Sequence, residues 1–277
     1  VKESYKSKPD AIIHVTAHMD SAMASPGASD NASGLAALLE LARIYRTVKT
    51  GGVEIRFVAV GAEEGGLNGS RAYVDSLTAA EKAISINYNM DMIATSWPDA
   101  TVVSLDVNPR DTGIFNLPAA LIIAGAETLP WIPGTENVRW YQYGSSDHVP
   151  FQDAKIDAAS MIRATDATDD IEPADHTTGD DMVGNYSRER LWEAANMMSK
   201  GISRAIDNKL TLHLEYTVKS SGKVEVTNWE NLKFLFDSLK ITLQPKDGKE
   251  AIFITASSKD KFQFALPVGE CTMTALG

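Results

Sequence analysis

The sequence AIIHVTAHMDS (11–21), followed after one helical segment by VEIRFVAVGAEE (53–64), decides the fold. Residues 11–17 and 53–60 are apolar, β-branched runs of strand length. Between them, apolar residues recur at helical spacing (Leu35, Leu38, Leu39 and Ala42) in a helix predicted to end near Lys49, before Gly51-Gly52. Strand, helix and strand in this order form a β-α-β unit, which joins parallel strands.

The same alternation continues to about residue 207. A capping box, Thr78 with Glu81, predicts a short helix, and residues 84–90 (ISINYNM) predict an inner strand. Ser187 is predicted to begin a long helix that runs to about Ile206. The fold class is therefore α/β, with a mostly parallel central sheet flanked by helices.

The sequence pattern changes after Asn208. There the strand-like runs LTLHLEYTV, EAIFITA and KFQFAL surround one predicted helix, which has the capping pair Thr227 and Glu230. Lys246-Asp247-Gly248-Lys249 is typical of a hairpin turn. We therefore expect a catalytic domain over residues 1–208 and a small β-rich appendage over residues 209–277, whose role the sequence does not indicate.

The composition limits the classes of partner. Of 277 residues, 44% are hydrophobic and 23% charged, as in globular proteins. The formal charge of −11 repels phosphate backbones, so nucleic acid is not an expected partner. The single cysteine, Cys271, cannot form an intrachain disulfide. No apolar run approaches the roughly 18 residues of a membrane span, and residues 1–10 lack a signal-like stretch.

Acidic and histidine residues stand where the predicted strands end, the edge at which open α/β sheets bind ligands. They are His18 and Asp20, Asp30-Asn31, Glu63-Glu64, Asp91 and, in a late loop, His176. Two imidazoles and three carboxylates suit a pair of zinc ions, and one more carboxylate remains for proton transfer. Singly, each has a plainer interpretation, such as a structural histidine, a helix cap or a solvated acidic pair.

Six ordered blocks carry a resemblance to a known family. They are AHMDS (17–21), SDNASGLAALLELAR (29–43), GAEEGGLNGSRAYV (61–74), NMDMI (89–93), YGSSDHVPF (143–151) and DHTTGDD (175–181). In these blocks the chain resembles the M28 family of dizinc exopeptidases, the aminopeptidase group, from about Asp10 to Arg204.

The resemblance implies a role for each site residue. His18 and Asp91 would hold one zinc ion, Glu64 and His176 the other, and Asp30 would bridge both. Glu63 would be the general base for a water that the zinc pair activates. Asp20 would accept a hydrogen bond from the His18 imidazole, and Asp147 and His148 would surround the metal site and the substrate.

The resemblance also implies a substrate and a location. The substrate would be a peptide with a free N-terminus, whose amine lies beside the carboxylates. The chain would be secreted or periplasmic. Relatives often carry strands ahead of the first zinc histidine, whereas seventeen residues precede His18 here, so a further N-terminal piece is a possibility that the resemblance raises.

Two positions depart from the family pattern. Asp175 stands where many relatives have a tyrosine that stabilises the oxyanion. Either Tyr141 or Tyr143 replaces that tyrosine, or the stabilisation is weaker. Gly144-Ser145-Ser146 stands where some relatives place an arginine near the substrate carbonyl, so oxyanion support from that side is in question too.

The remaining candidates receive structural interpretations. His14 lies within the first strand and is expected to be a structural residue. The acidic tract Asp166–Asp175 is expected to be a solvated loop beside the active site, with calcium binding as the alternative. Three tryptophans could line a substrate pocket or belong to the core (Trp97, Trp131 and Trp140).

Three other functions stay open on the sequence. A glutaminyl-cyclase-like acyltransferase shares the fold and uses one zinc ion, so the number of bound ions distinguishes it. A receptor or scaffold relative would have lost ligands, and none is lost here. A carboxypeptidase would need a cationic pocket, and only Arg110, Arg139 and Arg163 lie near the motifs. The oligomeric state is not predicted.

Overall fold

The computed structural model describes residues 9–107, 116–129, 138–142, 145–165, 172–207, 211–218, 222–225, 238–257, 263–266 and 269–276. Six strands form the central sheet: β1 (Ala11–His18), β2 (Val53–Val60), β3 (Ser85–Met90), β4 (Val102–Val107), β5 (Val138–Gln142) and β6 (Asp157–Ala164). Their order is β2-β1-β3-β6-β4-β5. Only the β4–β6 pair is antiparallel among these neighbours, which confirms the mostly parallel sheet.

Helices flank the sheet, as the predicted fold class requires. They are α1 (Gly34–Tyr45), α2 (Asn68–Ser76), α3 (Ala79–Lys82), α4 (Leu117–Ala126), α5 (His148–Asp153) and α6 (Arg188–Ile206). The capping box of Thr78 and Glu81 is present, and the Ser187 side chain caps α6. Helix α1 ends at Tyr45, so the prediction of an end near Lys49 was wrong. The polar tail of that segment has no apolar face to bury, and helical stability in proteins comes mainly from such burial.

Helix α4 lies at the centre of the packing. All ten of its residues are buried, and Ala120, Leu121 and Ile122 belong to a cluster shared with β1, β3 and α6. A Cβ atom at Gly125 would meet the Cβ of Lys200 at 2.8 Å, so glycine lets α4 and α6 approach closely.

The C-terminal part is an antiparallel structure. Strands β7 (Thr211–Val218), β9 (Ser238–Pro245), β10 (Ile252–Ser257) and β12 (Gly269–Leu276) form one sheet in the order β10-β9-β12-β7. Strands β8 (Gly222–Glu225) and β11 (Gln263–Leu266) pair separately. The predicted hairpin turn joins β9 to β10, with Gly248 at φ +82°. The predicted capping pair Thr227 and Glu230 lies outside the described residues.

His14 is a structural residue, as predicted from the sequence. Its ring nitrogens lie 2.9 Å from the hydroxyls of Tyr73 and Ser85, and its imidazole is fully buried beside Phe151. Burial, followed by the charge of Arg56, lowers the pKa of His14 to about 3. The imidazole is therefore neutral in the folded chain at every pH above that value.

This depressed pKa predicts acid sensitivity. Below about pH 6.5 the unfolded chain binds a proton at His14 that the folded chain refuses, so stability falls as the pH falls, by up to about 1.4 kcal/mol per unit. The loss begins near pH 6.5 and continues toward about pH 3, where folded His14 titrates. We expect His14→Gln to flatten the pH dependence of urea unfolding between pH 7.5 and 5 relative to the unaltered chain. Parallel curves for both proteins would contradict this assignment.

Candidate metal centre

The carboxyl ends of three neighbouring strands bring the predicted site residues together. His18 ends β1, Glu63 and Glu64 follow β2, and Asp91 follows β3. Asp30 lies in the irregular turn Ala28–Ser33 between β1 and α1, where its backbone departs from helical geometry. His176 approaches from the loop that precedes α6.

Asp30 stands between the two histidines. Its Oδ1 lies 3.0 Å from His18 Nε2, and its Oδ2 lies 3.3 Å from His176 Nε2. On one side, His18 Nε2 is also 3.2 Å from Asp91 Oδ1. On the other side, His176 Nε2 is 3.1 Å from Glu64 Oε2. The arrangement thus has two halves that share one carboxylate.

These separations fit donors that hold metal ions. Two donors at about 2.1 Å from one tetrahedral zinc ion lie about 3.4 Å apart, close to the observed distances. Single ligand atoms of His18, Asp30 and Glu64 all lie within 4.8 Å of one another. Among the described residues, buried Glu64 Oε1 has no hydrogen-bond donor. Imidazole and carboxylate together are a donor set that zinc accepts.

The electrostatics of the site also favour a bound cation. Burial lowers the pKa of His18, but the Asp91 and Asp30 carboxylates outweigh it and raise the pKa to about 12. Burial raises the pKa of Asp91, and the His18 charge more than offsets this and brings it below its usual range. Burial, with the Asp91 and Glu64 charges, raises the pKa of Asp30 to about 7 despite the opposing effect of His18. Divalent ions would neutralise these crowded carboxylates in place of protons.

Glu63 is a half-buried carboxyl group beside this cluster. Burial, and next the charge of Asp91, raises its pKa to about 8. A carboxyl group with a pKa near neutrality can both accept and donate a proton, as a general base and acid must. This raised pKa is compatible with the role predicted from the sequence, which stays a prediction.

Asp20 has a different contact from the predicted one. His18 Nδ1 lies 3.0 Å from the Asp20 carbonyl oxygen and 3.7 Å from its Oδ1, so the hydrogen bond goes to the backbone. The Asp20 carboxylate instead accepts the amides of Glu63 and Glu64, each at 3.2 Å. Asp20 thus fixes the imidazole through its carbonyl and the Glu63-Glu64 turn through its side chain.

Asp147 and His148 lie at the start of α5 and are completely buried. Burial raises the pKa of Asp147 to about 6, with the neighbouring Asp91 charge adding to the effect. Both side chains are fully buried, as groups that surround a metal site would be, and their relation to a substrate stays a prediction. They lie behind the cluster, and the charge of His148 acts on Asp91.

The acidic loop before His176 also differs from expectation. Glu172 is buried rather than solvated, and its Oε1 accepts a hydrogen bond from Asn185 Nδ2 at 2.7 Å. Burial raises the pKa of Glu172. Three further acids of the tract, Asp166, Asp169 and Asp170, lie outside the described residues, so calcium binding there stays an alternative from the sequence.

The structure describes two of the aromatic and cationic candidates, Trp97 and Arg163. Trp97 is half-buried, and its carbonyl accepts a hydrogen bond from Arg190 Nη1. Arg163 is buried and donates to Glu193 at 2.6 Å, so it offers no charge to a substrate carboxylate. The structure does not describe the side chains of the remaining candidates (Arg110, Trp131, Arg139, Trp140, Tyr141 and Tyr143).

Sequence reasoning missed Ser146 as a support for the cluster. Its hydroxyl donates to Asp91 Oδ2 at 2.7 Å and accepts from Asn89 Nδ2 at 2.8 Å. Asn89 Oδ1 in turn accepts from Thr16. The sequence feature that could have pointed to Ser146 is its position directly before Asp147 in the block YGSSDHVPF.

Asp180 was also missed, although it lies in the block DHTTGDD. It is fully buried, and its carboxylate accepts the backbone amides of Ser29 at 2.7 Å and Asp30 at 3.0 Å. Asn185 Nδ2 donates to it as well, at 2.8 Å. Asp180 therefore ties the loop of His176 to the turn that presents Asp30.

The turn after Asp30 requires glycine at position 34. Asn31 Oδ1 accepts the Gly34 amide at 2.9 Å, and Asn31 Nδ2 donates to the Met90 carbonyl at 2.9 Å. A Cβ atom at Gly34 would collide with Asn31 Oδ1 and the Met90 carbonyl oxygen. Only glycine allows α1 to begin this close to β3.

Comparison with known proteins identifies relatives of this chain. The sequence model of peptidase family M28 matches residues 1–202. Aminopeptidase YwaD of Bacillus subtilis (strain 168) is 41% identical over 235 residues, which are 84% of this chain and 49% of that protein. The chain thus spans about half the length of this curated relative.

Solved structures share the fold. BSAP, a zinc aminopeptidase from Bacillus subtilis, matches with a TM-score of 0.67 and 40% identity over 74% of this chain and 48% of that one. An aminopeptidase from Aneurinibacillus sp. strain AM-1 matches with a TM-score of 0.62 and 32% identity, covering 73% of this chain and 45% of that one. Among the described residues, no helix has the length and apolar character needed to cross a membrane.

The contacts of Asp180 predict that Asp180→Asn destabilises the chain. An amide can accept on one atom only, so its NH2 group would face a backbone N–H that the carboxylate now accepts. We expect a loss of about 1–3 kcal/mol in the free energy of unfolding, measured by urea titration without metal. The control is Asp181→Asn, because the Asp181 carboxylate uses one oxygen to accept the amides of Val183 and Gly184. Equal stability of both variants would contradict the tethering role.

Proposed function

The chain belongs to peptidase family M28, and on that premise we propose that it is a zinc-dependent aminopeptidase that removes an unblocked N-terminal residue from peptides. One observation carries the proposal: Asp30 has one carboxylate oxygen near each of two imidazoles, at 3.0 and 3.3 Å. A carboxylate between two donor sets suits a pair of divalent ions.

The proposed ligand roles follow the two halves of the cluster. His18 and Asp91 would hold one ion, Glu64 and His176 the other, and Asp30 both. When bound, two zinc ions supply Lewis acidity toward the scissile carbonyl and make a water acidic enough to lose a proton near neutral pH. Asp20 and Ser146 orient His18 and Asp91 through their hydrogen bonds.

Glu63 moves the proton in this proposal. Its carboxylate takes a proton from the attacking water and passes it to the nitrogen of the leaving amine when the peptide bond breaks. The raised pKa, about 8, supports this double role. The amides of Glu63 and Glu64 both bond to Asp20, which holds the base beside the ligands.

Selection of a free N-terminus follows from charge. The acidic groups around the cluster attract a protonated amine, and acetylation removes that positive charge. An enzyme of this kind is therefore expected to act on a peptide end rather than within a chain.

The division of the chain is likewise a proposal. We assign catalysis to residues 1–208 because every site residue lies there, and we treat residues 209–277 as a β-rich appendage. Ile241 and Leu243 of β9 are buried in the core that contains α4, so the appendage packs against the catalytic part. A secreted or periplasmic location stays a prediction from the family resemblance.

The first experiment compares a leucine chromogenic amide with its N-acetylated counterpart. Hydrolysis of the free amine only, lost on chelation and recovered with zinc, is the expected result. Turnover of the acetylated substrate would contradict the aminopeptidase proposal. Cleavage unchanged after complete metal removal would contradict the metal requirement.

We expect Glu63→Gln to keep its metal and to lose about 10²–10⁴-fold in kcat, because the amide cannot accept the proton. The matched control is Glu127→Gln, an exposed glutamate at the end of α4. Metal content, measured by elemental analysis, should equal that of the unaltered protein in both variants. Full activity of Glu63→Gln would show that another group is the base.

The same samples distinguish the alternative functions. One zinc ion per chain, together with cyclisation of an N-terminal glutaminyl peptide, would indicate a glutaminyl-cyclase-like acyltransferase. Two bound ions without turnover of any peptide amide would indicate a receptor or scaffold relative.

A further inference from the structure

We propose that Asp175 is an additional metal ligand, which completes the half of the centre formed by His176, Glu64 and Asp30. The inference rests on the proposed two-ion function, and it gives the two halves different donor sets.

The geometry of Asp175 supports coordination. Its Oδ1 lies 3.7 Å from His176 Nε2. Single ligand atoms of Asp30, Asp175 and His176 all lie within 4.8 Å of one another. Two donors at about 2.1 Å from one ion lie between about 3.0 and 4.2 Å apart, depending on coordination geometry. The separation of Asp175 from His176 falls within that range.

The surroundings leave this carboxylate available to a cation. Among the described residues, Asp175 Oδ1 is buried without a hydrogen-bond donor, although the side chain as a whole is 15% exposed. In that part of the chain its ion-pair contact is His176, and the Asp30 carboxylate also lies within hydrogen-bonding reach of its side chain. A buried acceptor without a donor is costly unless another group, such as a metal ion, satisfies it.

An oxyanion-stabilising role does not fit Asp175. An ionised carboxylate has no proton to donate, and its charge would repel the developing oxyanion. Asp175 therefore offers a ligand oxygen at this position rather than a hydrogen-bond donor.

The consequence is an asymmetric centre. The His18 half has one imidazole and two carboxylates, Asp30 and Asp91, and its imidazole is 1% exposed. The His176 half has one imidazole and three carboxylates, and its imidazole is 57% exposed. Additional oxygen donors favour harder ions such as Mn²⁺. We therefore expect the half that contains His176 to be the one that accepts manganese.

The test measures metal binding rather than activity. The metal-free full chain, Asp175→Asn and Asp181→Asn are titrated with Zn²⁺ against a chromogenic chelator, and bound metal is counted after dialysis. We expect two ions in the unaltered chain. Asp175→Asn should keep the first affinity and weaken the second by about 10–100-fold or more, the usual loss when a supporting ligand is removed. Asp181→Asn should leave both unchanged.

A second variant guards against a folding defect. Asp175→Glu keeps the carboxylate on a longer arm, so we expect a second-ion affinity between those of Asp175→Asn and the unaltered chain. Repeating the titration with Mn²⁺ should show a larger loss for Asp175→Asn than zinc does.

The possible outcomes distinguish the role of Asp175 from the existence of the two-ion site. Two ions bound by Asp175→Asn with unchanged affinities would overturn the role of Asp175 and leave the proposed two-ion site intact. Equal weakening of both ions, or no recovery in Asp175→Glu, would also overturn it. Fewer than two ions in the unaltered chain would overturn the two-ion site together with this inference.

Discussion

Crowded carboxylates at the ends of three parallel strands are the constraint that shapes the rest of the molecule. Asp30, Glu63, Glu64 and Asp91 lie close together, and burial raises the pKa of Asp30 and Glu63. Without compensation, such groups repel one another and take up protons. The fold must therefore hold them in place against their own repulsion while it leaves them able to bind cations.

Besides the charged His18 imidazole between Asp30 and Asp91, neutral hydrogen-bond donors hold the acidic groups in place. Backbone amides hold the Asp180 and Asp20 carboxylates, and the Ser146 hydroxyl holds Asp91. A lysine or arginine in these places would also fix the geometry, but its charge would cancel the attraction for a divalent ion. Dipolar donors orient the acids and leave their charge for the metal.

The sequence predicted the sheet, because β-branched runs are local signals. It also predicted acidic and histidine residues at the strand ends, whereas their convergence on one centre was implied only by the family resemblance. It missed helix α4, whose residues are apolar on every side and so show no helical periodicity. Ser146 and Asp180 were missed for a different reason. Their partners lie 55 and 150 residues away in the chain, and a serine or aspartate that bonds to a distant group has no local pattern.

Helix α4 joins two structures that look separable in the sequence. Its side chains share one buried cluster with the central sheet and with Ile241 and Leu243 of the C-terminal sheet. Separating the sheets would expose to water the part of this apolar cluster that the C-terminal sheet covers, at about 25 cal/mol for each Å² of apolar surface. Heating is thus expected to melt both sheets in a single cooperative transition, and trimming the chain at residue 208 would leave an aggregation-prone surface.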